Sequence, residues 1–252
     1  MPGEHAAGDA GLSVRRDAHS WTLALDRPRK ANALSAPLVE ALIDAVAQAE
    51  AARVPVLAFE GRGGNLSAGF DFGDYESQSE GELLLRFVRI ETLLQAIARS
   101  TCLTIGFAHG RNFGAGVDLF GACRSRIAAP ETTFRMPGLA FGLVLGTRRF
   151  ARLVGSEAAR EILEGLATFD AERARRMGFV RRIAPPAEWP AVLAEAVATA
   201  GSLAYESRVA LYRTLDEETH DADLADLARS ASRPGLRERI ASYLATQRAA
   251  RA

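Results

Sequence analysis

The run FGAGVDLFGAC, residues 113–123, sets three small residues, Gly114, Ala115 and Gly116, just ahead of a single carboxylate, Asp118, in an otherwise apolar stretch. Small side chains let a ligand approach backbone N–H groups closely. At a helix start those groups are unpaired and carry partial positive charge. A second stretch of similar make-up, SAGFD (67–71), lies earlier in the chain. Two such donors aimed at one carbonyl oxygen would form an oxyanion hole, worth about 3–4 kcal/mol per donor on a developing negative charge. Asp118 would then be placed to move a proton. Each loop is also what a tight strand-to-helix turn looks like. Asp118 is equally what a first helical turn favours, paired with an arginine such as Arg111 or Arg135. Neither loop reads GxxxxGK[ST] or GxGxxG, so neither carries a nucleotide signature.

The elements that must position these residues follow from periodicity. LSVRRD and SWTLALD alternate as two strands joined at Ala18-His19. Apolar residues from Leu38 to Val46 share one helical face within 35–53, with Ser35 as N-cap. VPVLAFEG is a short buried strand that feeds the first glycine-rich loop. A second amphipathic helix spans 80–99, and CLTIGFAHG is the strand before the second loop. RSRIAAPETTFRM supplies one or two further short strands. Beyond Leu145 the chain reads as helices over 147–154, 156–165, 170–177, 187–202, 205–227 and 237–251. Strand–helix alternation in the first 140 residues or so predicts a largely parallel sheet, with ligands bound beyond the strands' carboxyl ends.

Composition removes several classes of function. The 252 residues are 48% apolar and 25% charged, and 31 basic residues balance 31 acidic ones. No global field attracts nucleic acid or a membrane surface. Lys30 is the only lysine. Cys102 and Cys123 sit in apolar surroundings without a CxxC spacing, which predicts reduced core thiols and no zinc site. No run of eighteen apolar residues occurs, and MPGEHAAGDAG lacks the basic and apolar regions of a signal peptide. A cytoplasmic protein is expected, with residues 1–10 as a disordered tail, a core over 11–190 and a helical oligomerisation region over 191–252.

Four motifs in this order and spacing resemble the enoyl-CoA hydratase/isomerase (crotonase) superfamily: LALDRPRKANALS, LSAGFDF, TIGFAHGRNFGAGVDLFGACRSRIAA and RRFARLVGSEAAREILEGLATFDAERARRMGFVRRIA. The resemblance runs from about residue 11 to about 248. It implies an α/β fold with a ββα spiral core and a helical C-terminal region, acting on an acyl-CoA thioester. Carried over by position, the oxyanion donors are the N–H groups of Phe70 and of Ala115, where glycine is usual. Coenzyme A, as part of the substrate and not as a prosthetic group, would lie along Lys30, Ala31, Ala68, Asp71 and Phe72. The basic cluster Arg27, Arg29 and Lys30 could anchor phosphate or simply be solvated. The family's trimers and dimers of trimers imply a homo-oligomer in which the closing helix, LRERIASYLATQR, needs a partner for its apolar face.

Hydratases of this family hold their water between two glutamates. The first falls at Asp118; the second falls at Gly138, in FRMPG. The family's Pro-Gly-x-Gly-Gly stretch is also shortened, leaving LVLGTRRF. Losing a general acid–base catalyst costs about 10²–10⁴-fold, so isomerase or lyase chemistry is expected ahead of efficient hydration. A catalytically silent acyl-CoA-binding subunit is the alternative. Arg148 and Arg149 stand where the glycines are missing, open to an acidic acyl group or a subunit contact. Phe70, Phe72, Tyr75, Phe87 and Phe141 suggest an apolar or aromatic acyl group, or plain core. His109 is expected to be a buried structural histidine. Ser67 lacks the GxSxG setting of a nucleophile.

Overall fold

Each helix start shows why the chain leaves its strands where it does. The computed structural model describes residues 10–216 and 219–250; the expected tail over 1–10 lies outside these apart from Ala10. Strands β1 (Leu12–Arg16) and β2 (Ser20–Leu25) pair antiparallel. Helix α1 (Ala36–Ala51) starts at Ser35, whose side chain accepts from the Leu38 N–H, with Pro37 in its first turn. Helix α2 (Glu80–Arg99) starts in a capping box, Ser79 and Glu82 satisfying each other's backbone N–H groups. Between them runs β3 (Val56–Gly61), and after α2 comes β4 (Leu103–Ala108).

Strands β6 (Ser125–Ala128) and β9 (Arg182–Ile183) complete a six-stranded sheet of order β1-β2-β3-β4-β6-β9, parallel from β2 onward. Its central strands are covered on both faces, as parallel strands require. Leu57 and Phe59 join the large core beneath α1 and α2. The alternate residues Val56, Ala58, Ile105 and Phe107 form a second core with α7 (Trp189–Gly201), where Phe107 stacks on Trp189 at 5.0 Å.

A second, three-stranded sheet has no counterpart in the sequence reading. It pairs β5 (Arg111–Phe113) with β7 (Thr133–Arg135), and β7 with β8 (Thr168–Asp170). Strands of three residues are too short to show alternation, and their order here is set by pairing alone. Strand β5 therefore stands between β4 and helix α3 (Ala115–Ala122), where the sequence suggested a direct strand-to-helix turn.

Helices α4 (Thr147–Val154), α5 (Ser156–Glu164) and α6 (Ala171–Arg176) follow the expected pattern. The helix expected over 205–227 is instead two, α8 (Tyr205–Leu215) and α9 (His220–Ala231), Asp216 being extended. Helix α10 (Leu236–Ala249) buries Leu236 and Ile240 and packs Tyr243 and Leu244 on the core of its own chain. Its apolar face thus has a partner within the chain, contrary to the expectation that it must find one elsewhere. Among the described residues no helix is long and apolar enough to cross a membrane, and no metal-binding cluster occurs.

Candidate active site

Two loops are held against each other by buried amides. Asn32, fully buried at φ 53°, donates to the carbonyls of Arg62 and Asn65, and its Oδ1 accepts from the Arg27 N–H. Asn112 on β5 accepts from the N–H groups of both Leu66 and Ser67 through one Oδ1, at 3.1 Å each. Both asparagines replace backbone partners that irregular loops would otherwise lack. Sequence reasoning passed over them, because neither residue type by itself distinguishes a loop brace from an ordinary turn residue. Ser67 is spent on the same bracing: its hydroxyl donates to the Asn32 carbonyl and accepts from the Gly69 N–H. That occupation, with full burial, removes it as a nucleophile.

The loops meet at Gly69, where a Cβ would overlap the Phe113 carbonyl and lie 3.1 Å from the Ala115 nitrogen. Gly114, at φ 46° and ψ −123°, takes the unusual turn that starts α3. Ala115 therefore needs no positive φ and has none. The N–H groups of Phe70 and Ala115 have no hydrogen-bond acceptor among the described residues. Both residues line one cavity of about 1150 Å³, somewhat above the roughly 300–1,000 Å³ usual for ligand pockets. The first loop is clamped from outside. Arg27 pairs with Asp71 at 2.8 Å, and Arg86 donates to the Asp71 carbonyl at 2.7 Å while lying 4.2 Å over the Phe70 ring.

Asp118 lines the same cavity and is its only acidic lining residue among those described; Arg111, Arg135 and Arg248 also line it. Burial drives the Asp118 carboxyl well above the usual carboxylate range; the charge of Arg149 opposes this and that of Glu91 adds to it. No group among the described residues donates a hydrogen bond to its side chain. The arginine facing Asp118 is thus Arg149, and not Arg111 or Arg135 as the sequence suggested. Arg111 lies over the Phe113 ring, and Arg135 donates to the Leu166 carbonyl.

Arg149 turns inward to Glu91 at 2.9 Å, and Arg148 pairs with Asp223 and Asp226 at 2.5 and 2.7 Å. Both are engaged within the chain, and neither lines the cavity. Sequence reading had no means to find Glu91: it sits on the buried face of a helix whose pattern otherwise reads as core.

Of the positions expected to hold coenzyme A, Ala31, Ala68 and Phe72 line the cavity; Lys30 and Asp71 do not. Lys30 is exposed on the turn after β2, and Asp71 is occupied by Arg27 and by the Gly73 N–H. Gly138 lines the cavity within a 3-10 turn, Gly138–Phe141. Phe70 stacks on Phe87 at 4.3 Å, Phe72 meets Phe141 edge-on, and Phe141 packs on Tyr243 of α10. Tyr243, Leu244, Gln247, Arg248 and Ala250 bring the end of the chain over the cavity. His109 is half-buried where full burial was expected, and bonds the Gly63 carbonyl at 2.8 Å.

Comparison with known proteins places this geometry. The Enoyl-CoA hydratase/isomerase family model matches residues 18–242. A crystal structure from Bordetella parapertussis, provisionally assigned as an enoyl-CoA hydratase/isomerase, is 57% identical, with a TM-score of 0.92 over 93% of this chain and 98% of that one. A Mycobacterium tuberculosis protein provisionally named enoyl-CoA hydratase echA6 is 32% identical over 178 residues, 69% of this chain and 71% of the relative. An enoyl-CoA hydratase structure from Bacillus halodurans, 18% identical, shares the fold at a TM-score of 0.80 over 92% of this chain and 99% of that one. The chain belongs to the enoyl-CoA hydratase/isomerase family and has the crotonase fold.

Proposed function

We propose that this protein acts on an acyl-CoA thioester through an enolate, with Phe70 and Ala115 as oxyanion donors and Asp118 as the proton carrier. The observation that carries this reading is the convergence of two unpaired backbone N–H groups and one carboxyl on a single cavity. Removing a proton beside a thioester carbonyl places negative charge on its oxygen, where preorganised donors act most strongly. The raised pKa of Asp118 suits both halves of a proton shift: the ionised form is a stronger base, and the protonated form is a ready donor.

One carboxyl that takes a proton from one carbon and returns it to another performs double-bond isomerisation. The same enolate serves cleavage of a carbon–carbon bond next to the thioester. Hydration asks for a second acid–base group, and at the position expected for it stands Gly138. The three arginines on the cavity lining favour an anionic ligand, as the phosphates of coenzyme A would be. Lys30 and Asp71 then act at the edge of the coenzyme A site, with Ala31, Ala68 and Phe72 on its wall. Coenzyme A enters with the substrate, and no prosthetic group is invoked. The aromatic cluster of Phe70, Phe72, Phe87 and Phe141 favours an apolar acyl group.

A silent acyl-CoA-binding subunit is the second reading, favoured by the absence of a side chain at Gly138. Proton exchange at Cα of acyl-CoAs in D₂O, followed by NMR, separates the two. Exchange by the wild type that is lost in Asp118→Asn supports the enolate reading. Tight binding with no exchange supports the silent subunit.

A further inference from the structure

Behind Asp118, on the side away from the cavity, three helices bring charged groups together. Glu91 of α2 is fully buried, and Arg149 of α4, 5% exposed, donates to its Oε1 from Nη2. Gln95 donates to the same Oε1 at 3.1 Å. Asp223 of α9 comes to 3.9 Å from the same Nη2 and is itself held by Arg148 and by the Thr219 hydroxyl. Asp226 takes the other arm of Arg148. The Nε and Nη1 of Arg149 and the Oε2 of Glu91 are buried and meet no hydrogen-bond partner among the described residues.

A group of this kind is a poor structural element. Desolvating two charges costs more than an apolar pair of similar volume would, and each unmade hydrogen bond adds to the cost. What it does have is proximity to the reactive acid. Arg149 and Asp118 border the same void of about 10 Å³, together with Gly146 and Met136, about the room one water needs.

We propose that Arg149, held by Glu91 and backed by Asp223, is a positioning residue for Asp118, coupling the proton on that acid to helix α9. The proposal rests on the reading of Asp118 as the proton carrier. Burial holds the Asp118 carboxyl toward its protonated form; Arg149 draws it toward the ionised form, and Glu91 opposes that pull. The balance between Arg149 and Glu91 thus bears on how tightly this acid holds its proton. Removing the Glu91 charge leaves Arg149 unopposed; removing Arg149 leaves Glu91 to disfavour ionisation further. Asp223, 3.9 Å from the same Nη2, ties Arg149 to α9, which does not line the cavity.

The test reads the carboxyl directly in the full-length protein without substrate. In protein labelled with ¹³C at the aspartate Cγ, the Asp118 resonance is assigned by its loss in Asp118→Asn, and its titration is followed in Glu91→Gln, Arg149→Gln and Asp223→Asn. The midpoint is expected to fall by about one pH unit or more in Glu91→Gln, to fall less in Asp223→Asn and to rise in Arg149→Gln. Should Glu91→Gln fail to fold, Asp223→Asn carries the decision. An unmoved midpoint in the folded variants overturns the coupling. Cα exchange on acyl-CoA is measured alongside. Midpoints that move with no exchange in any protein leave the coupling standing and sink the enolate reading, whereas Asp118-dependent exchange with fixed midpoints does the reverse.

Discussion

Gly146 stands directly behind the carboxyl of Asp118. A Cβ on Gly146 would overlap Asp118 Oδ1, and its φ of 63° is one that L-residues rarely adopt. Gly146→Ala must therefore push the carboxyl aside or strain the start of α4. Misplacement of about 1 Å costs on the order of 100-fold in rate. We expect Gly146→Ala to lose Cα exchange by about that factor while acyl-CoA binding, measured by calorimetry, changes far less. Equal loss of binding and exchange would show that the substitution damages the whole site.

Asp118 is a stability cost above the pH at which an unfolded aspartate ionises. Its folded pKa is raised well above the ordinary aspartate value of 3.8, so the folded state holds its proton more tightly than the unfolded chain does. The stability associated with that proton is complete below about pH 4 and is lost as the pH rises toward the folded pKa. Asp118→Asn, a neutral side chain of the same shape, should raise the melting temperature at pH 7, with a gain that shrinks toward pH 4. An unchanged or lower melting temperature at pH 7 would count against a buried, protonated Asp118.

The Arg27–Asp71 pair behaves in the opposite sense. Burial pushes Asp71 up, but the Arg27 hydrogen bond, the Gly73 N–H and the charges of Arg27 and Arg86 outweigh it and hold the carboxyl below the usual range. Its contribution is present above about pH 4 and is lost as pH falls through the lowered value. Arg27→Ala also removes the bond to the Ala33 carbonyl. A loss of about 1.5–3 kcal/mol is expected at neutral pH, shrinking at pH 3, by urea denaturation. A constant difference at both pH values would place the effect elsewhere.

Cys102 and Cys123 should resist alkylation. Burial raises both thiols, Cys123 to about 12, so almost no thiolate forms at pH 8. Iodoacetamide should label neither in the native protein and both in denaturant, by mass spectrometry. Rapid native labelling of Cys123 would contradict its burial at the end of α3.

Helix α8 presents Leu211 and Leu215, 43% and 73% exposed, one turn apart on the same side, with Leu203 just before it. Apolar groups so placed favour a neighbouring chain. A trimer or dimer of trimers is the expected outcome of light scattering, and a monomeric mass would refute it.

Legibility tracked chain length and locality. Strands β2, β3 and β4 and helices α1 and α2 could be read because each carries its apolar pattern over several residues, and the helices also show their own N-caps, Ser35 and Ser79. Strands β5, β8 and β9 could not, since two or three residues show no period and pair only with distant partners. The two loops stood out by their small residues and Asp118 as a lone acid in an apolar run, while the family resemblance singled out Phe70 and Ala115 within them. Glu91 did not, and the pairing of Arg149 with it could not be read, because 58 residues separate them in sequence and only the packing of α2 on its neighbours joins them. The broken helix over 205–227 failed for another reason: Asp216 and Thr219 fit a helical pattern as well as they fit a gap.

Gly114 absorbs the backbone turn that starts α3, and the residue after it is free to be alanine. A glycine at 115 would leave that peptide more states to lose on folding, a difference of about 0.4–1 kcal/mol. With Ala115 the peptide's direction is settled when the chain folds, before any ligand arrives. On the proposed reading of Ala115 as an oxyanion donor, that donor is stiffer than a double-glycine loop would make it, and its methyl group narrows the choice of acyl groups that fit against it.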